Sequence, residues 1–430
     1  MLIKNITLID ENFQVQENRY VGIDGEWITY ISKEAPKQDF GRVYDGTGKL
    51  LVSGFINTHA HSPMTLMRGY GENLALQDWL NQKIFPFEDK LTGDAVYWGT
   101  LLAMAESIRF GIVSTTDMYY FSEDMIKAIE ESGTKNNISR SVTCFDDSDL
   151  WSLQGAKEMK SIYETYHNAA NGRIKVDMSI HAEYTSTPKI VRQMADYTQS
   201  IGTNMHVHLS ETKLEHEECK QRHGLTPAAY FNKLGLFETP TTAAHCVWLE
   251  DEDFAILREK GVTAASNPVS NMKLASGVCD VPKLLDFGIN VSLGTDSVAS
   301  NNSLNFIEEM KFFACGAKER MKDPTAVTPT QALRAATLAG AISQGRQDCG
   351  TVKEGNKADL VVMDISGPHM HPVHDVINSL VYSASGSDIV MTMADGKVLY
   401  ENGQYMTIDI EKTIYEANRA TKGILAALSK

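Results

Sequence analysis

The chain has 430 residues, 43% of them hydrophobic and 22% charged, with 31 Gly and 12 Pro. That balance is ordinary for a globular protein and excludes collagen-like, coiled-coil and largely disordered chains. Its 55 acidic against 40 basic side chains leave a net charge of −15, which repels phosphate backbones and excludes a general nucleic-acid binder.

Residues 1–50 alternate short β-type runs (LIKNITLID, YVGIDGEWITYI, RVYDG) with Gly, Asp and Asn turns, which predicts a small antiparallel sheet. The opening MLIKNITLIDENFQV has no long apolar stretch and no small-residue cleavage site, so no signal peptide is expected. The texture then changes to eight apolar, β-branched runs: 51–61, 112–120, 139–145, 175–185, 204–212, 241–249, 261–268 and 289–297. Helical patterns lie between them, among them DAVYWGTLLAMAESIRFG, PKIVRQMADYTQSIG and EDFAILREKG. Eight strand–helix units in series predict an α/β chain whose core is a closed parallel (β/α)8 TIM-type barrel. TPTQALRAATLAGAISQG reads as one helix leading out of the barrel. Strand patterns return over 350–405, with Asp395-Gly396 placed as a hairpin turn, and 409–426 is amphipathic. Both chain ends are therefore expected to form one small β-sandwich: 1–54 its first part, 55–348 the barrel, and 349–430 its second part plus a C-terminal helix. No apolar run approaches the ~20 residues of a membrane helix. The six cysteines are scattered with no CxxC, which points to reduced thiols in the cytoplasm.

Chemistry in such a barrel sits at the C-terminal ends of the strands, and the polar residues collect there. His59 and His61 end the first run, His181 the fourth, His208 and Glu211 the fifth, His245 the sixth and Asp296 the eighth. His59 and His61 are two apart, so on a strand both rings point to one side and can chelate one ion. His208 and Asp296 complete three imidazoles and a carboxylate, a set suited to Zn²⁺ or, less often, Fe²⁺ with one position open to water. His245 can then move the water's proton, and Glu211 can shuttle one onto a substrate. His206-Val207-His208 is a second such pair, so at least one of the two pairs is expected not to chelate. HMHPVH (369–374) falls in the small β-domain and is read as surface or packing.

GFINTHAH (54–61), MHVHLSET (205–212), AAHCVWL (243–249) and SLGTDS (292–297) together resemble the amidohydrolase superfamily, and GTVKEGNKADLVVMD (350–364) resembles its return from barrel to sandwich. The segment VSGFINTHAHSPMTLMRGYGENLALQDWLNQKIFPFEDKLT (52–92) narrows the resemblance to the 5′-methylthioadenosine/S-adenosylhomocysteine deaminases and their triazine-hydrolase and chlorohydrolase relatives. The resemblance implies metal ligands at His59, His61, His208 and Asp296, a proton-transfer Glu at Glu211 and a water-orienting His at His245. It further implies Trp79 stacking on the base, Glu88 on the ribose hydroxyls and His181 on a purine ring nitrogen. Arg140 and Ser300 would contact the tail of the substrate. A second Arg that some members carry is missing from FDDSDLWSLQG (145–155). Binuclear members bridge two metals through a Lys at the end of strand four, where this chain has SIHAEYT, so one divalent metal is expected, zinc ahead of iron. The implied enzyme is a hydrolase deaminating small adenine nucleosides (methylthioadenosine, S-adenosylhomocysteine, adenosine), homo-oligomeric and bound to neither membrane nor nucleic acid. The alternatives are a chlorohydrolase, triazine or other heterocycle hydrolase on the same scaffold, and a non-catalytic binding barrel.

Overall fold

The computed structural model describes residues 1–429. The chain opens with Leu2–Ile9 (β1), Val15–Asp24 (β2), Trp27–Ser32 (β3), Val43–Asp45 (β4) and Lys49–Ser53 (β5). Gly54 then hands the chain to a second sheet system. A Cβ at this position would lie 2.6 Å from the Val113 side chain, closer than packed carbons approach, so the close passage needs glycine. Beyond it come Phe55–Ala60 (β6), Ile112–Met118 (β7), Lys135–Ser139 (β8), Ile174–Val176 (β9) and Met178–Ser179 (β10). Met205–Leu209 (β11), Thr241–His245 (β12), Thr263–Ser266 (β13) and Val291–Leu293 (β14) complete this system.

All neighbouring pairs in this system are parallel, in the orders β6-β7-β8-β9 and β10-β11-β12-β13-β14. Only Asp177 separates β9 from β10, so the two are halves of one strand. Parallel bridges Ala60–Asp296 and Val142–Ile180 join the two runs at both seams. The result is the expected (β/α)8 barrel, and its strands are buried on both faces, which is why they read as continuous apolar runs.

The third strand lies earlier than its expected position. β8 is Lys135–Ser139, and SRSVTCF (139–145) mostly follows it. Its sequence KNNIS is polar yet wholly buried, so a search for apolar runs passes over it. The polar groups are paired instead. Asn137 donates to the Asp177 carboxylate, and the Lys135 ammonium meets Asp359 and, at 2.7 Å, Asp395. Those aspartates belong to the returning segment, so Lys135 ties the barrel floor to the terminal sheet. Lys135→Met leaves Asp359, buried, and Asp395, half-buried, without the ammonium they share. It is expected to cost about 3–5 kcal/mol, the usual loss on breaking a buried pair from one side, read from the midpoint of denaturant unfolding; an unchanged midpoint would refute the clasp.

The return supplies Leu360–Asp364 (β15), Ile389–Ala394 (β16), Lys397–Glu401 (β17) and Gln404–Tyr405 (β18). The terminal strands form one nine-stranded sheet in the order β18-β17-β16-β15-β5-β1-β2-β3, with β4 beside β1. The chain ends meet where β5 and β15 pair antiparallel, Val52 opposite Val361. Ile3, Ile6, Val21, Leu51, Val362 and Met391 pack into one separate core inside this sheet. The expected single helix at 328–345 is two, Pro329–Ala336 and Leu338–Ser343, broken at Thr337 (φ −128°, ψ −91°). The second piece turns so that Gly340 presses on β6, where a Cβ would lie 2.7 Å from that of Ile56. Ile410–Leu428 is the final helix. Among the described residues no helix is long and apolar enough to cross a membrane.

Candidate active site

β6, β11 and β12 deliver their last residues to one rim, and the turn after β14 delivers Asp296. The backbone is strained there. Ser210, His245, Cys246 and Asp296 all have positive φ, from 49° to 75°, a conformation that non-glycine residues adopt at a cost and that gathers at functional sites.

Three imidazoles turn Nε2 toward the same point. His61 Nε2 lies 3.4 Å from His208 Nε2, and Asp296 Oδ1 lies 3.3 Å from His61 Nε2 and 3.4 Å from His59 Nε2. Each Nδ1 is engaged outward: His61 with the Met118 carbonyl (2.6 Å), His208 with the His181 carbonyl (2.7 Å), and His59 with His206 Nε2 (2.9 Å). A ring that donates from Nδ1 to a carbonyl keeps its lone pair on Nε2. Lone pairs held 3.4 Å apart repel unless a cation lies between them. Tetrahedral donors at the ~2.0–2.1 Å of Zn–N and Zn–O bonds are separated by ~3.3–3.4 Å, which is the spacing seen. His59 Nε2 is buried without a hydrogen-bond partner, as an orphaned ligand atom would be. The four residues therefore fit a divalent transition metal.

The surroundings hold these ligands. Asp296 Oδ2 accepts from Ser270 Oγ (2.6 Å) and Ser300 Oγ (3.0 Å). Burial raises the Asp296 carboxyl's pKa, but the close approach of the His59 and His61 rings outweighs it and holds the group well below the usual carboxylate range. Burial pushes His59 down to about 3 and His208 far below the ordinary histidine value, so both stay neutral and able to ligate.

His245 and Glu211 stand beside the set, His245 Nε2 lying 3.8 Å from Glu211 Oε2. His245 Nδ1 is 2.9 Å from Asn271 Oδ1, which leaves Nε2 facing inward. Glu211 is fixed from behind, because Glu215 accepts the backbone N–H groups of Ser210 (2.9 Å) and Glu211 (2.8 Å). Burial pushes the Glu211 carboxyl upward, which eases proton uptake.

A cleft opens above these groups. Trp79, Glu88 and His181 line it together with Leu80, Tyr184 and Leu274. His181 Nδ1 is held by Thr185 Oγ1 at 3.0 Å, and burial lowers its pKa to about 4, so a neutral ring faces the cleft. Burial raises Glu88 to about 7. Arg140 stands outside this cleft, in an adjoining cavity that Glu88 also lines.

One expectation changes on the structure. Ser300 is no tail contact: it is 1% exposed, and its hydroxyl is used on Asp296, Ser270 and Ser297. It braces a ligand instead. His206 Nε2 lies 2.9 Å from His59 Nδ1 and so braces that ring. The alternation of a strand points the rings of His206 and His208 to the same side, so spacing alone could not separate them. Glu215, Ser270 and Asn271 carried no sequence signal, since each acts only through a distant partner. At 369–374, His369 pairs with Asp388 at 2.8 Å on the surface, and the convergent donor sets among the described residues all include His59.

A family model described as "Amidohydrolase family" matches residues 50–399. The chain belongs to the amidohydrolase family. A protein of Thermoanaerobacter pseudethanolicus named 5-methylthioadenosine/S-adenosylhomocysteine deaminase is 40% identical over 428 residues, covering 99% of each chain. That likeness places this member among the methylthioadenosine/S-adenosylhomocysteine deaminases. A 5'-deoxyadenosine deaminase of Methanosarcina mazei is 39% identical, over 100% of this chain and 99% of its own. A crystal structure of an adenosine deaminase from Xanthomonas campestris with bound zinc superposes with a TM-score of 0.93 at 27% identity, over 99% of this chain and 98% of the other.

Proposed function

We propose that this amidohydrolase removes the 6-amino group of adenine nucleosides by hydrolysis, releasing ammonia and the inosine analogue. Methylthioadenosine, S-adenosylhomocysteine and adenosine are the candidate substrates. The observation that carries the reading is Glu211, a buried carboxylate beside His245 and the donor set, at the floor of a cleft walled by Trp79 and His181. The named relatives support the same reaction, and zinc is the proposed ion.

When bound, such an ion lowers the pKa of a water molecule toward ~7 and so supplies the nucleophile at neutral pH. His59, His61, His208 and Asp296 would hold it. Trp79 stacks on the purine and His181 donates or accepts at a ring nitrogen, which sets C6 over the donor set. Glu88 receives the ribose hydroxyls. Glu211 passes one proton of the attacking water to N1 so that C6 accepts the oxygen, and His245 and Asp296 take the remaining hydroxyl proton and return it to the amino nitrogen. The amino group then leaves with a proton as ammonia, and the C6–N1 π-bond is replaced by the C6 carbonyl. The catalytic unit is proposed to span 55–348, with 1–54 and 349–430 as its supporting sheet and C-terminal helix.

The test is a substrate panel read by ammonia release and product mass. Turnover of at least one adenine nucleoside, with no chloride release from a chlorotriazine, is expected. The chlorohydrolase alternative would replace this reading if the chlorotriazine were hydrolysed and every nucleoside left intact.

A further inference from the structure

A second cavity of about 380 Å³ opens off the cleft, sharing Phe85, Glu88 and Tyr120 with it and closed by Asp89, Phe121, Arg140 and Glu158. If Glu88 holds the ribose hydroxyls, a substituent on the 5′ carbon reaches toward this cavity. Its walls carry three carboxylates and one guanidinium.

That guanidinium is already committed. Arg140 Nε lies 3.2 Å from Glu158 Oε2, and Nη1 donates to the Ser141 carbonyl at 2.6 Å. One face stacks on Tyr120, with Cζ 4.4 Å from the ring centroid. On Gly155 a Cβ would lie only 3.4–3.5 Å from Cζ, Nη1 and Nη2, so the backbone packs closely there too. Glu158 is itself aimed, since Gln154 Nε2 donates to Oε1 at 3.1 Å. A carboxylate gains most from Arg when both oxygens meet two N–H groups along one edge of the fork. Glu158 holds the Nε edge, and the Ser141 carbonyl engages Nη1 on the other.

We propose that Glu158 is a specificity-determining residue: by neutralising Arg140 at the mouth of the tail cavity, it selects against 5′-substituents that carry a carboxylate. Short neutral substituents such as methylthio, methyl or hydroxyl meet Phe85, Tyr120 and Phe121 without that opposition. An incoming carboxylate meets a cation already paired and a like charge beside it, and such a like-charge juxtaposition disfavours that partner. The inference rests on the nucleoside reading above.

The test compares kcat/KM for S-adenosylhomocysteine with kcat/KM for methylthioadenosine on the same preparation, in the wild type, Glu158→Gln and Glu158→Arg. The ratio does not depend on the fraction of active protein, so partial misfolding of a variant does not blur it. Glu158→Gln is expected to raise the ratio about threefold to tenfold, the scale of one screened charge contact, and Glu158→Arg to raise it further. An unchanged ratio would overturn the proposal. A lowered ratio would overturn it as well, because it would mean that Glu158 receives the ammonium of the homocysteine tail. Wild-type turnover of methylthioadenosine, measured in the same assay, decides the underlying reading separately.

Discussion

Asp296→Ala is expected to strip the protein of its metal and of its activity together. Asp296 is the one anionic donor of the set, and its Oδ1 stands 3.3 and 3.4 Å from two histidine Nε2 atoms. Removing it leaves three imidazoles that must hold a dication without an anionic partner. It also cuts the contacts of Ser270 and Ser300 with Oδ2, so the turn loses its anchor. Loss of an outer partner of a metal ligand costs roughly 10–100-fold in affinity or activity, and loss of the ligand itself should exceed that. Elemental analysis of wild type should find about one transition metal per chain, and of the variant close to none, with kcat restored little by added zinc. Two firmly bound metals in the wild type, or an active metal-free enzyme, would defeat the assignment.

Glu211→Gln should separate chemistry from binding. Glutamine keeps the size of the side chain, and Glu215 still fixes the backbone at Ser210 and Glu211, so the pose survives. What disappears is the capacity to take a proton and pass it on. Burial already favours the protonated carboxyl here, as a ring-nitrogen acid requires. The variant is expected to retain its metal and its affinity for a nucleoside inhibitor while kcat falls at least ~100-fold, the usual loss for a general acid–base group. Displacement of chloride needs no protonated ring, so the same variant would lose far less in a chlorohydrolase. Near wild-type turnover with full metal would remove Glu211 from the mechanism.

The rim of the barrel was legible because its geometry is local. A His two residues from another on a strand, and a His or Asp at a strand's end, carry their direction with them. The supports were not legible, because each depends on how distant elements pack. Ser300 follows a turn that could have faced the substrate, and only its seat against Ser270 and Asp296 turns it inward. Glu158 lies on a helix whose register against Tyr120 and Arg140 no spacing encodes. The third strand escaped for a related reason. Lys135 and Asn136 look solvent-facing until Asp359 and Asp395, more than two hundred residues later, arrive to pair with the lysine.

The pairing of β5 with β15 also sets the order in which a ribosome can finish this protein. Leu51 and Val52 meet Val362 and Val361, partners separated by roughly 300 residues that take ~15–60 s to synthesise at common elongation rates. Throughout that interval β5 has an open backbone edge of the kind that recruits foreign strands. The barrel emerges in that window and grows directly from β5 through Gly54. A nascent chain stalled before β15 would therefore carry a nearly complete catalytic rim beside an unsealed edge. Such fragments should be substrates for chaperones rather than short enzymes.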